Sequence, residues 1–322
     1  MDITCLLWLQ DLRNAINSQA LIDFITVLSF FAVSWVIMIP VLVYWCIDKK
    51  NGLFLYVSYC TSWFINGLLK LTVCAYRPWI RDSRIIPAGG DITMKTAGGY
   101  SFPSGHTMQS SPIYGGLAVL CHKKAKIVTF LLGILIIVTA LSRIYLGVHT
   151  PQDVIIGTIF GLCSVWVAAK IVGYISAHPK SENIFLLIGM ILCFASIYYI
   201  THKTYPLDYK ADGSLLVDPA KMMNDTFLAN GMIAGFLVGR FIEKTFIKFE
   251  STGFNIVGLI VAFIGFIPLY YIRMNICSVY NFMTVPLNTA LGSHWGHFAI
   301  GFIEFFYTVA IWPIVIKIFT RK

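Results

Sequence analysis

Residues 126–170 read KIVTFLLGILIIVTALSRIYLGVHTPQDVIIGTIFGLCSVWVAAK. Two apolar runs, at about 126–147 and 151–175, are each long enough to cross ~30 Å of hydrocarbon as a helix, which takes about 20 residues. The polar residues Ser142, Arg143, His149, Gln152 and Asp153 crowd around the short break between them, at the end of the first run and the start of the second. Lipid offers the backbone no hydrogen-bond partner, so a spanning segment must be a helix or part of a closed barrel. The alternation of a barrel strand is absent. Seven further stretches of the same kind follow from the hydropathy, at about 20–46, 52–75, 104–121, 183–201, 225–248, 253–273 and 292–317. The expected fold is all-α, a polytopic membrane bundle of about nine transmembrane helices.

Composition agrees. Of 322 residues, 57% are hydrophobic and only 12% charged, and the mean hydropathy is +0.76. A soluble domain carries roughly 25% charged residues, which excludes a water-soluble enzyme, a disordered chain and a nucleic-acid-binding protein. The net charge of +9 sits largely in short breaks between apolar runs, where it reports orientation rather than a polyanionic partner. Cys5, Cys46, Cys60, Cys74, Cys121, Cys163, Cys193 and Cys277 are scattered without a CxxC pair and read as small buried hydrophobes, neither a disulfide framework nor a zinc site.

Neither repeat nor linker interrupts the chain, so 1–322 reads as one transmembrane domain: an interfacial segment at 1–18, a core at 19–175 and additional helices at 176–322. The first segment lacks a positive n-region before an apolar core, which favours an interfacial helix over a signal peptide. The short basic breaks are Lys49-Lys50, Lys123-Lys124-x-Lys126, Lys170 with Lys180, Lys244 with Lys248, and terminal Lys317, Arg321 and Lys322. The positive-inside rule places these in the cytoplasm. The loops at 76–103 and 202–224 and the turn at His149 then lie outside or in a lumen.

Three clusters sit at those non-cytoplasmic helix ends. Lys70 and Arg77-Pro78 are seven residues apart, close to two helical turns, which places both cations on one helix face; a snorkelling interfacial pair is the competing account. Pro103-Ser104-Gly105-His106 precedes the third span, where serine is a favoured N-cap and glycine leaves the backbone amides open to an anion; an ordinary capped helix is the alternative. Ser142-Arg143 is followed by His149 and, four residues later, Asp153. That carboxylate can face the imidazole or, in the pattern Thr150-Pro-Gln-Asp, complete a capping box, and both can hold at once. Taken together, cations, a bare helix N-terminus and two histidines on one membrane face are what phosphoryl transfer requires. The absence of a carboxylate cluster on that face implies a reaction without metal or other cofactor.

Lys70-x6-Arg77-Pro78, Pro103-Ser104-Gly105-His106 and Ser142-Arg143-x5-His149-x3-Asp153 resemble the three signature motifs of the type 2 phosphatidic acid phosphatase superfamily. The resemblance covers residues 65–155. The layout of spans is similar to the sphingoid-base-phosphate and glucose-6-phosphate phosphatase branch. It implies that His149 attacks phosphorus to form a phosphohistidine, that Asp153 holds the His149 ring, and that His106 protonates the leaving alkoxide and then activates water. It also implies that Lys70, Arg77, Arg143, Ser104 and Gly105 bind the phosphate oxygens. The expected function is hydrolysis of a lipid phosphate taken from the bilayer, in a multi-pass protein of the plasma membrane or an endomembrane with an extracytoplasmic or lumenal site. A sugar phosphate as substrate, transfer of the phosphoryl group to an acceptor, and a non-catalytic scaffold are the alternatives.

Outside the motifs, Arg81 and Arg84 are loop cations expected to be solvated. His294 and His297 are placed to rim the pocket or to sit at the interface. Arg240 and Glu304 are intramembrane charges expected to pair with each other.

Overall fold

A computed structural model describes residues 2–276 and 282–320. Cys277, Arg321 and Lys322 lie outside the described residues. The helices are α1 (Asp2–Ile16), α2 (Gln19–Ser34), α3 (Met38–Leu42), α4 (Lys49–Val73), α5 (Pro78–Arg81), α6 (Gly90–Thr96), α7 (Gly105–Cys121) and α8 (Lys126–Tyr145). They continue with α9 (Pro151–Ala177), α10 (Glu182–His202), α11 (Pro219–Ile242), α12 (Ile256–Ile276), α13 (Thr284–Leu291), α14 (Ser293–Phe306) and α15 (Trp312–Thr320). No strand occurs among the described residues; the all-helical expectation holds. Every apolar stretch named above is mostly helical, the first being broken at 35–37 and several frayed by a few residues at one end. Among the described residues, six helical segments are long and apolar enough to cross a membrane, and seven if α2 and Met38–Ile47 count as one span. The chain is an integral membrane protein. Two stretches fall short of that measure: α7 has only 17 residues, and α11 carries Asn224, Asp225, Asn230 and Arg240 among its apolar residues.

The chain divides into two compact units that do not follow sequence order. One comprises Met1–Val36, Thr61–Trp166 and Lys203–Met222; the other comprises Ile37–Cys60, Val167–His202 and Met223–Lys322. The first holds all eight candidate site residues.

In the first unit, α7 packs against α8 and both pack against α2. Helix α9 lies close to α7, because a side-chain carbon at Gly157 would fall 2.2 Å from Thr107 Oγ1 and 3.0 Å from the Ser104 carbonyl oxygen. Pro112 stands inside α7 and supplies no N–H for the Met108 carbonyl four residues back; the Ser62 hydroxyl donates to that carbonyl instead. A small core of Leu6, Ile85, Ile144 and Val154 ties α1 to the ends of α8 and α9.

Two helix termini in this unit decide where the chemistry sits. Helix α8 ends in a Schellman turn: Val148 N–H donates to the Arg143 carbonyl (3.2 Å) and Gly147 N–H to that of Ile144 (2.9 Å). Gly147 takes φ 72°, a conformation that side-chain-bearing residues adopt only at a cost. The turn fixes Arg143 and His149 relative to each other. Helix α9 starts with a reciprocal capping box, in which Thr150 N–H donates to Asp153 Oδ2 (2.8 Å) and Asp153 N–H to Thr150 Oγ1 (3.3 Å). Pro151 occupies the first helical position, where its missing N–H is harmless.

In the second unit the expected Arg240–Glu304 pair does not form. Arg240 bonds Glu182 at 2.7 Å and also reaches Glu243, which in turn takes Lys49 at 2.6 Å. Glu304 pairs with Arg273 at 3.0 Å, and both side chains are buried. Depth along a helix does not give the direction in which a side chain points, and Arg273 on α12 faces Glu304 where Arg240 does not. Breaking a buried pair strands a charge and costs about 3–5 kcal/mol. Arg273→Glu should therefore lower the detergent melting temperature sharply, and adding Glu304→Arg should recover most of the loss. Equal melting of the single and double variants would refute the pairing.

The described cysteines are all free. Cys46, Cys60 and Cys193 are buried as expected; Cys5 and Cys163 are exposed instead, each on an outward helix face.

Candidate active site

Lys70 and Arg77 do not share a helix face. Helix α4 stops at Val73, and Cys74 turns the chain with φ 52° while its N–H still bonds the Lys70 carbonyl (3.0 Å). Arg77, extended ahead of Pro78 as proline demands, is delivered by the segment beyond the turn. The two cations converge on the site by different routes. Lys70 Nζ donates to the Tyr100 carbonyl (3.0 Å). A side-chain carbon at Gly105 would lie 3.9 Å from Lys70 Cε and 3.7 Å from Asn66 Oδ1, so Lys70 runs beside the N-terminus of α7.

Arg77 is 2% exposed and held by three carbonyls: Gly99 to Nε (3.1 Å), Gly98 to Nη2 (3.3 Å) and Val148 to Nη1 (2.9 Å). The same Nη1 lies 2.8 Å from His149 Nε2. A guanidinium can only donate, so Nε2 is the accepting nitrogen and the ring proton belongs on Nδ1. On that side Asp153 Oδ2 stands 3.5 Å away, a charge contact rather than a short hydrogen bond. Burial, followed by the Arg77 charge, pushes the His149 pKa well below the ordinary histidine value, against the pull of Asp153. The imidazole is neutral at neutral pH with its Nε2 lone pair directed at Arg77.

Ser104 is the N-cap of α7, yet its hydroxyl makes no cap bond. His106 follows in the first turn and is 3% exposed. Arg77 bonds His149 and Ser104 N–H donates to the Asp153 carbonyl (3.0 Å), so the three clusters meet, and the charges of Arg143, Arg77 and Lys70 bear on His106. Arg143 is 1% exposed and bonds Ser29 on α2 through Nη1 (2.8 Å). Its Nε and Nη2, the Ser104 hydroxyl and His106 Nε2 are buried with no hydrogen-bond partner among the described residues. Each such atom costs about 1–3 kcal/mol. All four can donate, His106 in its Nε2–H tautomer, and an oxyanion is the kind of group that accepts from such donors.

Asp153 does what both readings of its position proposed, capping α9 and facing His149. Sequence reasoning missed Ser101, whose hydroxyl donates to Asp153 Oδ2 at 2.6 Å, and Ser29. Neither carried a signal beyond being polar. Arg81 and Arg84 form exposed pairs with Asp2 and Asp82. His294 Nδ1 contacts Asn224 (2.7 Å) and its ring stacks on Phe227, while His297 Nδ1 contacts the Ser293 carbonyl. Among the described residues, no group of three or more His, Cys, Asp or Glu could hold a metal ion.

Residues 51–177 match the PAP2 superfamily, and that segment contains all three clusters. Over that segment the chain is similar to this superfamily. Its curated relatives include phosphatidylglycerophosphatase B of Bacillus subtilis, 29% identical over 119 residues (35% of this chain, 53% of the relative). Glucose-6-phosphatase catalytic subunit 1 of Haplochromis nubilus is 26% identical over 177 residues (48% and 49%). Lipid A 4'-phosphatase of Bacteroides thetaiotaomicron is 26% identical over 120 residues (37% and 52%). The chain spans about half the length of the curated relatives it matches. No solved structure matches it.

Proposed function

We propose that this chain is a membrane phosphatase that hydrolyses a lipid phosphate monoester or diphosphate through a phosphohistidine on His149. The observation that carries the reading is the buried group of unpartnered polar atoms on Ser104, His106 and Arg143, gathered with Arg77 around a neutral His149. Catalysis of this kind depends on fixed donors aimed at developing charge. Phosphate oxygens take the hydrogen bonds of Arg143, Ser104, Lys70, the α7 amides at Gly105, and Arg77. As Arg77 Nη1 turns from His149 Nε2 to a phosphate oxygen, the Nε2 lone pair is released to attack phosphorus. The P–O bond to the alcohol breaks and His106 gives its proton to the leaving oxygen. His106 then takes a proton from water, the resulting hydroxide attacks phosphorus, and the P–N bond breaks to restore His149.

The relatives act, by name, on phosphatidylglycerophosphate, glucose 6-phosphate and lipid A, and two of these three are lipids. The basic breaks favour a site on the extracytoplasmic or lumenal side, with α7 and α11 read as further spans to give nine. A sugar phosphate reaching the site from water is the second reading, favoured by the longer alignment with the glucose-6-phosphatase relative. No metal is required, because the site's charge is supplied by three cations and its one carboxylate already accepts from Thr150 and Ser101.

The test is phosphate release by the purified chain in detergent from a lipid monophosphate, a lipid diphosphate and glucose 6-phosphate, each with excess chelator. The expected result is highest kcat/KM on a lipid substrate, undiminished by chelator and blocked by vanadate. Highest kcat/KM on glucose 6-phosphate would favour the second reading, and restoration by Mg²⁺ after chelation would overturn metal independence. Failure to release phosphate from any of the three would sink the phosphatase assignment.

A further inference from the structure

The carboxylate of Asp153 has more than one partner. Its Oδ2 accepts from Ser101 Oγ (2.6 Å) and from Thr150 N–H (2.8 Å), and the same oxygen faces His149 Nδ1 at 3.5 Å. Its shortest contact is therefore to serine, not to the histidine. Ser101 is itself fixed, because its N–H donates to the Ala75 carbonyl (2.7 Å) in the segment that delivers Arg77. Three residues further on, Ser104 N–H donates to the Asp153 carbonyl (3.0 Å). Residues 101–104 are thus joined to the first turn of α9 at two points, one by side chain and one by backbone. Ser101 and Asp153 are both buried, so no solvent competes for the carboxylate.

We propose that Ser101 is a positioning residue for the nucleophile, orienting the Asp153 carboxylate that in turn holds the His149 ring. This inference rests on the phosphatase reading. The capping box alone leaves the carboxylate free to rotate about the bond from Cβ to the carboxyl carbon, since one N–H on one oxygen does not fix the plane. The serine hydroxyl supplies the second anchor. A carboxylate that lost it would be underbonded in a buried setting, where each missing donor is costly, and would swing toward His149 and shift the ring. Supporting partners one step removed from a reacting group typically alter activity by about 10–100-fold.

The experiment compares wild type, Ser101→Ala, Ser101→Thr, Asp153→Asn and the double variant Ser101→Ala/Asp153→Asn on a soluble aryl phosphate, with vanadate inhibition and melting temperature measured in parallel. Ser101→Ala is expected to lower kcat about 10–100-fold while the vanadate inhibition constant stays within about twofold, since the phosphate-binding cations are untouched. Ser101→Thr, which keeps the hydroxyl, should retain most of the activity. The double variant should be no slower than Asp153→Asn, because an effect transmitted through Asp153 is absent once that carboxylate is gone. An unchanged kcat in Ser101→Ala, or losses that multiply in the double variant, would overturn the inference with the phosphatase reading intact. The same holds for vanadate affinity and melting temperature falling in step with kcat. A wild-type chain that neither releases phosphate nor binds vanadate would overturn both.

Discussion

His149→Ala is expected to lose at least about four orders of magnitude in kcat, the scale on which removing a covalent nucleophile acts elsewhere, while still binding vanadate. The two halves of that result come from separate parts of the site. Arg77, anchored by the carbonyls of Gly98, Gly99 and Val148, does not need the imidazole to stay in place. Neither does Arg143, anchored on Ser29. The anion cradle should therefore outlast the nucleophile. Removing the ring also releases Arg77 Nη1 from its bond to Nε2, so vanadate affinity should not fall below that of wild type. The pH dependence follows from the same geometry. The unfolded ring titrates at about 6.5, whereas the folded ring is held lower. Wild-type kcat/KM should stay level as pH falls through the ordinary histidine range and decline only below it. A decline centred on the ordinary value, or near-normal turnover in His149→Ala, would remove His149 from its assigned role.

The candidate site was legible because polar residues inside apolar runs have few roles, and the structure brings three clusters of them together. Three details resisted the sequence. The phase of Arg77 relative to Lys70 was misread as helical, since nothing in the residues around Cys74 announces a left-handed turn at a non-glycine position. Ser101 and Ser29 were invisible because a serine near a helix end is ordinary; only the fold shows that they bond Asp153 and Arg143. The partner of Glu304 was mistaken because hydropathy gives depth without azimuth, and Arg273 was closer to it in direction than Arg240. Conversely, Gly147 and the Thr150-to-Asp153 cap are local devices whose chemistry is complete within six residues, and the capping pattern could be read without any tertiary knowledge. Local termini were readable; what lay across helices was not.

His106→Ala should separate the two chemical steps. The aryloxide of an aryl phosphate departs without needing a proton, so attack by His149 should still proceed in this variant and release one equivalent of the phenol. The second step needs a base to take a proton from water. The His106 Nε2, buried and unpartnered, is the group placed for that. General acid–base catalysis contributes about 10²–10⁴-fold, so the steady rate should fall by that factor after a burst equal to the enzyme concentration. The trapped species should carry phosphate on nitrogen: stable in alkali, lost in acid, and absent from the His149→Ala/His106→Ala double variant. With a lipid phosphate, whose alkoxide is a poor leaving group, the first step needs the acid too and no burst should form. The contrast between the two substrates is what tests the dual role. A burst with both would leave His106 as base alone, and a burst with neither, alongside the same loss of steady rate, would make it an acid or a binding residue. On the proposed mechanism a single side chain can serve both steps, because the proton it gives up in the first leaves it basic for the second.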